Sequence, residues 1–163
     1  MARKGSLLDK LNYDVPKIRL CLVNENTKSR VPFAIQTPMD AARLLKPLQH
    51  ASEEHFVSVH LNARNEVIGI HEVSHGTLSS SLVHPREVFK AALMANSYAI
   101  IVCHNHPSGS SIEPSKEDIE TTKQLLGAGK LMGIAVVDHL ILSPSDMNDV
   151  YSLREHLPHL WHR

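Results

Sequence analysis

The sequence contains few aromatic residues and only two cysteines. Phe, Trp and Tyr make up 4% of the 163 residues, so aliphatic side chains must fill most of the core. Cys21 and Cys103 lie in separate apolar runs, which argues against a disulfide framework or an all-cysteine zinc site. No apolar run approaches the roughly 20 residues that span a bilayer, and the N-terminus lacks the apolar stretch of a signal peptide. We therefore expect a cytoplasmic protein with no membrane partner.

The charge is balanced overall but unevenly distributed. Residues 1–50 contain nine Lys or Arg against four Asp or Glu, whereas residues 51–163 contain eight against thirteen. A basic N-terminal part can attract nucleic acid or an acidic partner, although an ordinary solvated surface gives the same count. The neutral total and the few aromatics do not favour a dedicated nucleic-acid binder.

The hydrophobic pattern predicts an N-terminal extension followed by one domain. Residues 1–36 form an arm and a β-hairpin, and residues 37–163 form an α/β domain of the α+β type. Its largely antiparallel, mixed sheet is expected to be sandwiched by helices, and an edge strand of the hairpin offers a surface for homodimer formation. Periodicity and capping residues predict strands at 56–61, 67–73, 98–103 and 134–142, and helices at 37–46, 85–95, 115–129 and 149–157.

Two histidines and an aspartate have the spacing of a catalytic zinc site. The buried strand at 98–103 runs directly into His104-Asn105-His106, and residues i and i+2 of an extended chain point to the same side. Eight residues separate His106 from Ser115, which begins a helix and places Asp118 in its first turn. Two nitrogens and one carboxylate oxygen would leave the fourth tetrahedral position to water.

Each part of this pattern also has an ordinary structural explanation. A His-x-His triplet arises easily in a chain with twelve histidines, and Ser115 with Asp118 matches a helix capping box. A general base is needed beside the metal, and spacing does not choose among five upstream or neighbouring acids. These are Glu53, Glu54, Glu72, Glu87 and Glu113.

Four segments together resemble one known family. They are HNHPSG followed by PSxxD, GTLSSSLVHPREVFKAAL at 76–93, and DHLIL at 138–142. They are similar to the JAMM (MPN-plus, JAB domain) metalloproteases in their bacterial RadC-type form, over residues 37–142. The resemblance implies a cytidine-deaminase-like JAB/MPN fold, one Zn²⁺ per chain, and a protein or peptide substrate whose peptide or isopeptide bond is hydrolysed.

The resemblance also implies a role for each residue of the motif. His104, His106 and Asp118 match the zinc ligands, and Ser115 matches the serine that steadies the oxyanion. In RadC-type chains the base stands in an E-x-F pattern, which Glu54 fits. Glu54 would then activate a metal-bound water as the nucleophile.

Two departures from the family keep alternatives open. The loop between His106 and Ser115 is one residue longer than usual, so we expect a bulge there. The N-terminal 36 residues are too short and strand-like for the usual helix-hairpin-helix module. A DNA-processing or DNA-repair accessory, with nuclease or DNA-binding activity through the basic N-terminal part, is the alternative function, and Glu53 is the alternative base.

A few further residues have open roles. Asp138 and His139 are expected to support a ligand or to pack in the sheet rather than to bind the metal. Cys103 is expected in the core. His84 and Arg86 either cap a helix or line the site.

Overall fold

The computed structural model describes residues 33–76, 83–107, 112–144 and 150–162. Its strands are β1 (Glu54–Leu61), β2 (Val67–Gly76), β3 (Ala99–Asn105), β4 (Ala135–Leu142) and β5 (Val150–Ser152). Its helices are α1 (Pro38–Leu44), α2 (Lys46–Gln49), α3 (Pro85–Met94), α4 (Lys116–Met132) and α5 (Leu153–His156), followed by a 3₁₀ turn, Pro158–Leu160. None of the helices in these ranges is long and apolar enough to cross a membrane.

The five strands form one mixed sheet in the order β2-β1-β3-β4-β5. β3 and β4 are parallel, and the other three neighbouring pairs are antiparallel. A parallel pair needs a long connection, and α4 provides it between β3 and β4. The predicted mixed, largely antiparallel sheet is therefore confirmed.

Helices cover both faces of the sheet, because side chains alternate along the central strand. Ile101 and Cys103 of β3 pack in a cluster that includes α1, whereas Ile100 and Val102 pack with α3 and α4. Every residue of β3 is buried, as expected for a strand with a helix layer on each side. The sandwich predicted from the sequence is confirmed, and so is the core position of Cys103, which has no exposed surface.

α4 continues beyond its predicted end because Gly129 serves packing rather than termination. Gly129 is buried, and a Cβ atom there would lie 2.5 Å from the carbonyl oxygen of Ile134 and 3.3 Å from Phe89. The helix needs glycine at this position to approach the sheet closely. It ends instead at Met132 and is capped by Gly133, whose φ of 68° is the left-handed conformation typical of a helix C-terminus.

The helix predicted at 149–157 is wrong in its first half. Val150–Ser152 form the short edge strand β5 against β4, and α5 begins only at Leu153. Burial of Asp138 explains the difference, since its carboxylate accepts hydrogen bonds from the Ser152 hydroxyl at 2.6 Å and the Arg154 amide at 3.1 Å. The junction of β5 with α5 brings both donors to this carboxylate.

The helix predicted to begin at Thr37 is confirmed. Thr37 caps α1 in a capping box with Asp40, and α1 ends at Leu44, before the one-turn helix α2. Ala34 forms an isolated antiparallel bridge with Glu66. The rest of the predicted β-hairpin extension lies outside the described residues.

Candidate metal centre

The two histidines and the aspartate predicted as ligands come together at one end of the sheet. His104 lies in β3, His106 follows the strand, and Asp118 is the third residue of α4. The two Nε2 atoms are 2.9 Å apart. Asp118 Oδ1 lies 3.4 Å from His104 Nε2, and Asp118 Oδ2 lies 3.8 Å from His106 Nε2.

This geometry and donor set fit zinc. Bonds of about 2.0–2.2 Å in a tetrahedral site put neighbouring ligand atoms about 3.4 Å apart, and the three separations lie on both sides of that value. In the described part of the chain, no other group of three His, Cys, Asp or Glu side chains is so closely spaced. His104 and Asp118 are buried, at 0% and 3% exposure, whereas the His106 side chain is 20% exposed. The group is therefore open to solvent on the side of His106.

Asp118 is held by the capping box at the start of α4. Its Oδ2 accepts hydrogen bonds from the Ser115 amide at 2.8 Å and the Ser115 hydroxyl at 2.7 Å, while its own amide donates to Ser115 Oγ at 3.0 Å. Burial alone would raise the pKa of Asp118, but the adjacent imidazole of His104 and the hydrogen bonds from Ser115 outweigh it and hold that pKa below its usual value. The carboxylate is thus kept ionised, with Oδ1 directed at His104.

Glu54 begins β1 on the sheet face that carries the ligands. It lies two residues before Phe56, which pairs with His104 and stacks its ring on the imidazole, with centroids 6.0 Å apart. Burial raises the pKa of Glu54, the charges of His104 and His106 oppose this, and Asp118 adds to it. Glu53 is exposed and precedes the strand. Of the two adjacent glutamates, Glu54 is the one placed beside the ligands.

Asn105, between the two histidines, joins the segment around Glu54 to the ligand strand. Its Oδ1 accepts a hydrogen bond from the His55 amide at 2.8 Å, and its Nδ2 donates to the Glu53 carbonyl at 3.0 Å. The side chain therefore bonds the main chain on either side of Glu54, as the main chain of a neighbouring β-strand would. Sequence reasoning missed this contact, although an amide between two candidate ligands was a visible signal.

His139 and Thr122 support His104 from behind. His104 Nδ1 and His139 Nε2 are 2.9 Å apart, and His139 Nδ1 lies 2.7 Å from the Thr122 hydroxyl oxygen. That hydroxyl donates to the main-chain carbonyl of Asp118 at 2.6 Å. Burial lowers the pKa of His139 well below its usual value. Thr122 was also missed, although it stands one helical turn after Asp118 and so shares its face of α4.

A comparison with known families places this geometry in context. The family model of the RadC-like JAB domain matches residues 35–158. The chain belongs to this family. The predicted resemblance to the RadC-type JAB domains is thereby confirmed.

The chain is also similar to bacterial proteins that are named UPF0758 proteins. One from Caldanaerobacter subterraneus is 48% identical over 68% of this chain and 47% of its own length. A second, from Staphylococcus haemolyticus, is 51% identical over 66% of this chain and 47% of its own length. A third, from Rubrobacter xylanophilus, is 47% identical over 75% of this chain and 52% of its own length. The chain thus spans about half the length of these relatives.

The other residues singled out in this RadC-like JAB domain have structural partners. His84 accepts a hydrogen bond from the Arg86 amide and so caps α3, which is the first of the two roles expected for it. Among the other predicted acids, Glu72 contacts His55 and Glu87 contacts Lys90, and Glu113 is exposed. Asp138 binds the β5–α5 segment and His139 contacts a ligand, which agrees with a supporting role for both.

Proposed function

We propose that this RadC-like JAB domain is a zinc-dependent hydrolase that cleaves a peptide or isopeptide bond. The observation that carries the proposal is the meeting of His104, His106 and Asp118 beside the partly buried carboxyl group of Glu54. Zinc bound by these three side chains would polarise the scissile carbonyl group and make a water molecule more acidic. The remaining chemistry falls to residues of the chain.

Glu54 is proposed as the general base and then the general acid. Its carboxylate accepts a proton from the attacking water and delivers it to the nitrogen of the leaving amine. Its raised pKa suits both tasks, because a carboxyl group that is protonated more easily takes the proton more readily near neutral pH. A divalent cation at the ligands would counteract part of this rise.

Ser115 is proposed as a donor to the carbonyl oxygen as negative charge develops there. In the structure its hydroxyl proton points to Asp118 Oδ2, so the hydroxyl must turn toward the substrate to take this role. The Ser115 amide would still hold Asp118 Oδ2, at 2.8 Å, after that rotation. The capping and oxyanion roles of Ser115 are therefore compatible.

Metal analysis and a hydrolysis assay test the proposal together. We expect the purified protein to contain one zinc per chain by elemental analysis and to cleave members of a quenched fluorescent library of peptides and lysine isopeptides. His104→Ala should lose the metal, whereas Glu54→Gln should keep it and lose at least about a hundredfold in rate. The exposed His50→Ala is the matched histidine control and should retain both properties. Equal, negligible zinc in the wild-type protein and His104→Ala would refute the proposal.

The DNA-processing alternative rests on the basic N-terminal part, and seven of its nine Lys and Arg residues lie in 1–32, outside the described residues. Phosphate contacts would make binding to duplex DNA weaken steeply with salt. Salt-dependent DNA binding without peptide or isopeptide cleavage would favour this alternative over the hydrolase.

A further inference from the structure

The inference concerns the hydrogen bonds behind His104 and rests on the proposed zinc site. They run from the Asp118 main chain through Thr122 and His139 to His104. Thr122 and His139 have 0% exposure, so water does not compete for these bonds. The path therefore links two of the three ligands through the protein interior.

The carbonyl at one end of the path fixes the direction of every proton along it. The Asp118 carbonyl can only accept, so the Thr122 hydroxyl uses its single proton there and accepts from His139 Nδ1. The fully buried His139 ring is neutral, because a charge there would be desolvated. A neutral ring with its proton on Nδ1 has a lone pair on Nε2, which accepts from His104 Nδ1.

We propose that Thr122 and His139 are positioning residues that hold His104 in the tautomer with its proton on Nδ1. The lone pair of His104 then lies on Nε2, the atom that faces His106 and Asp118. The ring is thus prepared as a zinc ligand before any metal arrives, and the ring of Phe56 stacks on its face. Outer hydrogen bonds of this kind typically change metal affinity by about 10- to 100-fold.

Zinc affinity measured against a chelating indicator tests the inference without any substrate. Thr122→Val removes the hydroxyl but keeps the shape, and we expect its zinc dissociation constant to rise about tenfold. Thr122→Ser keeps the hydroxyl and should bind zinc like the wild-type protein. His139→Phe should weaken binding by up to about 100-fold, and His139→Gln should be intermediate because its Oε1 can still accept from His104 Nδ1.

A spectroscopic measurement distinguishes positioning from a general loss of structure. Imidazole ¹⁵N shifts of the metal-free protein should show His104 protonated on Nδ1 in the wild-type protein and in Thr122→Ser, with a mixture of tautomers in Thr122→Val. If the wild-type protein binds zinc and Thr122→Val binds it equally tightly, the inference is wrong while the proposed hydrolase stands. If the wild-type protein binds no zinc, both are overturned.

Discussion

The buried histidine His60 makes the unfolding free energy of the protein depend on pH between about pH 4 and pH 6.5. It lies in β1 with 2% exposure, and its two ring nitrogens contact the hydroxyl groups of Ser58 at 3.1 Å and Ser97 at 3.0 Å. A neutral imidazole satisfies both serines, because one nitrogen donates and the other accepts. Burial, assisted by the nearby His71, lowers the pKa of His60 from 6.5 to about 4.

The sign of the effect follows from comparing the folded and unfolded chains. Between pH 6.5 and pH 4 the unfolded chain protonates His60 and the folded chain does not, so acid favours unfolding. The contribution is fully present above pH 6.5 and is lost as the pH falls toward 4. One pKa unit corresponds to 1.36 kcal/mol, so the shift amounts to about 3 kcal/mol of unfolding free energy.

Urea unfolding at several pH values measures this contribution. The wild-type protein is compared with His60→Gln, which keeps a polar side chain but does not titrate. All other titrating groups are common to both proteins, so the difference between their pH profiles isolates His60. The wild-type profile should be steeper by up to about 1.4 kcal/mol per pH unit within the window. Parallel profiles, or a His60 ring that titrates near 6.5 by NMR, would refute the reasoning.

Three further predictions concern stability and can be measured by chemical denaturation. Gly129→Ala should lower the unfolding free energy by about 1–3 kcal/mol, because its Cβ would overlap a main-chain oxygen. Gly127 has open space around it, so Gly127→Ala should raise the unfolding free energy by about 0.5–1 kcal/mol. The opposite order of stabilities would contradict the packing argument. Asn105→Ala should lower the unfolding free energy by about 1–3 kcal/mol through two lost hydrogen bonds, and an unchanged midpoint would count against its clamping role. Ser152→Ala should cost a similar amount, since it removes both the α5 cap and a donor to buried Asp138, and Asp138→Asn in the same background should recover part of that loss if the carboxylate is the cause.

Local patterns were sufficient to predict the fold and the grouping of candidate ligands. Strand alternation and helix capping depend on residues a few positions apart, which is why β1, β2, α1 and α3 lie within about three residues of their predicted ends. His104 and His106 share a side because of the period of an extended chain. The position of Asp118 follows from the capping box. Each of these inferences needed only one segment of the chain.

The two incorrect predictions, the end of α4 and the helix at 149–157, each depend on a contact between segments that are distant in the sequence. α4 passes Gly127 and Gly129 because Gly129 packs against Phe89 of α3. β5 replaces half of a predicted helix because its serine reaches Asp138. No local pattern contains either contact, so a glycine in a helix or a short polar segment is ambiguous until the sheet is known.

Contacts between distant segments also hold the candidate site together. Three consecutive residues of β3 have three different tasks, since Cys103 fills the core on the α1 side, His104 faces Asp118, and Asn105 clamps the chain around Glu54. β4 and α4 are joined to the same strand through His139 and Thr122. The side chains proposed to bind zinc and to move protons therefore stand on, or next to, packed strands and a helix, where their geometry is set before a ligand binds. A substitution at Asn105 or Thr122 should accordingly act on the site through the position of a neighbour, although neither side chain is itself a proposed ligand or base.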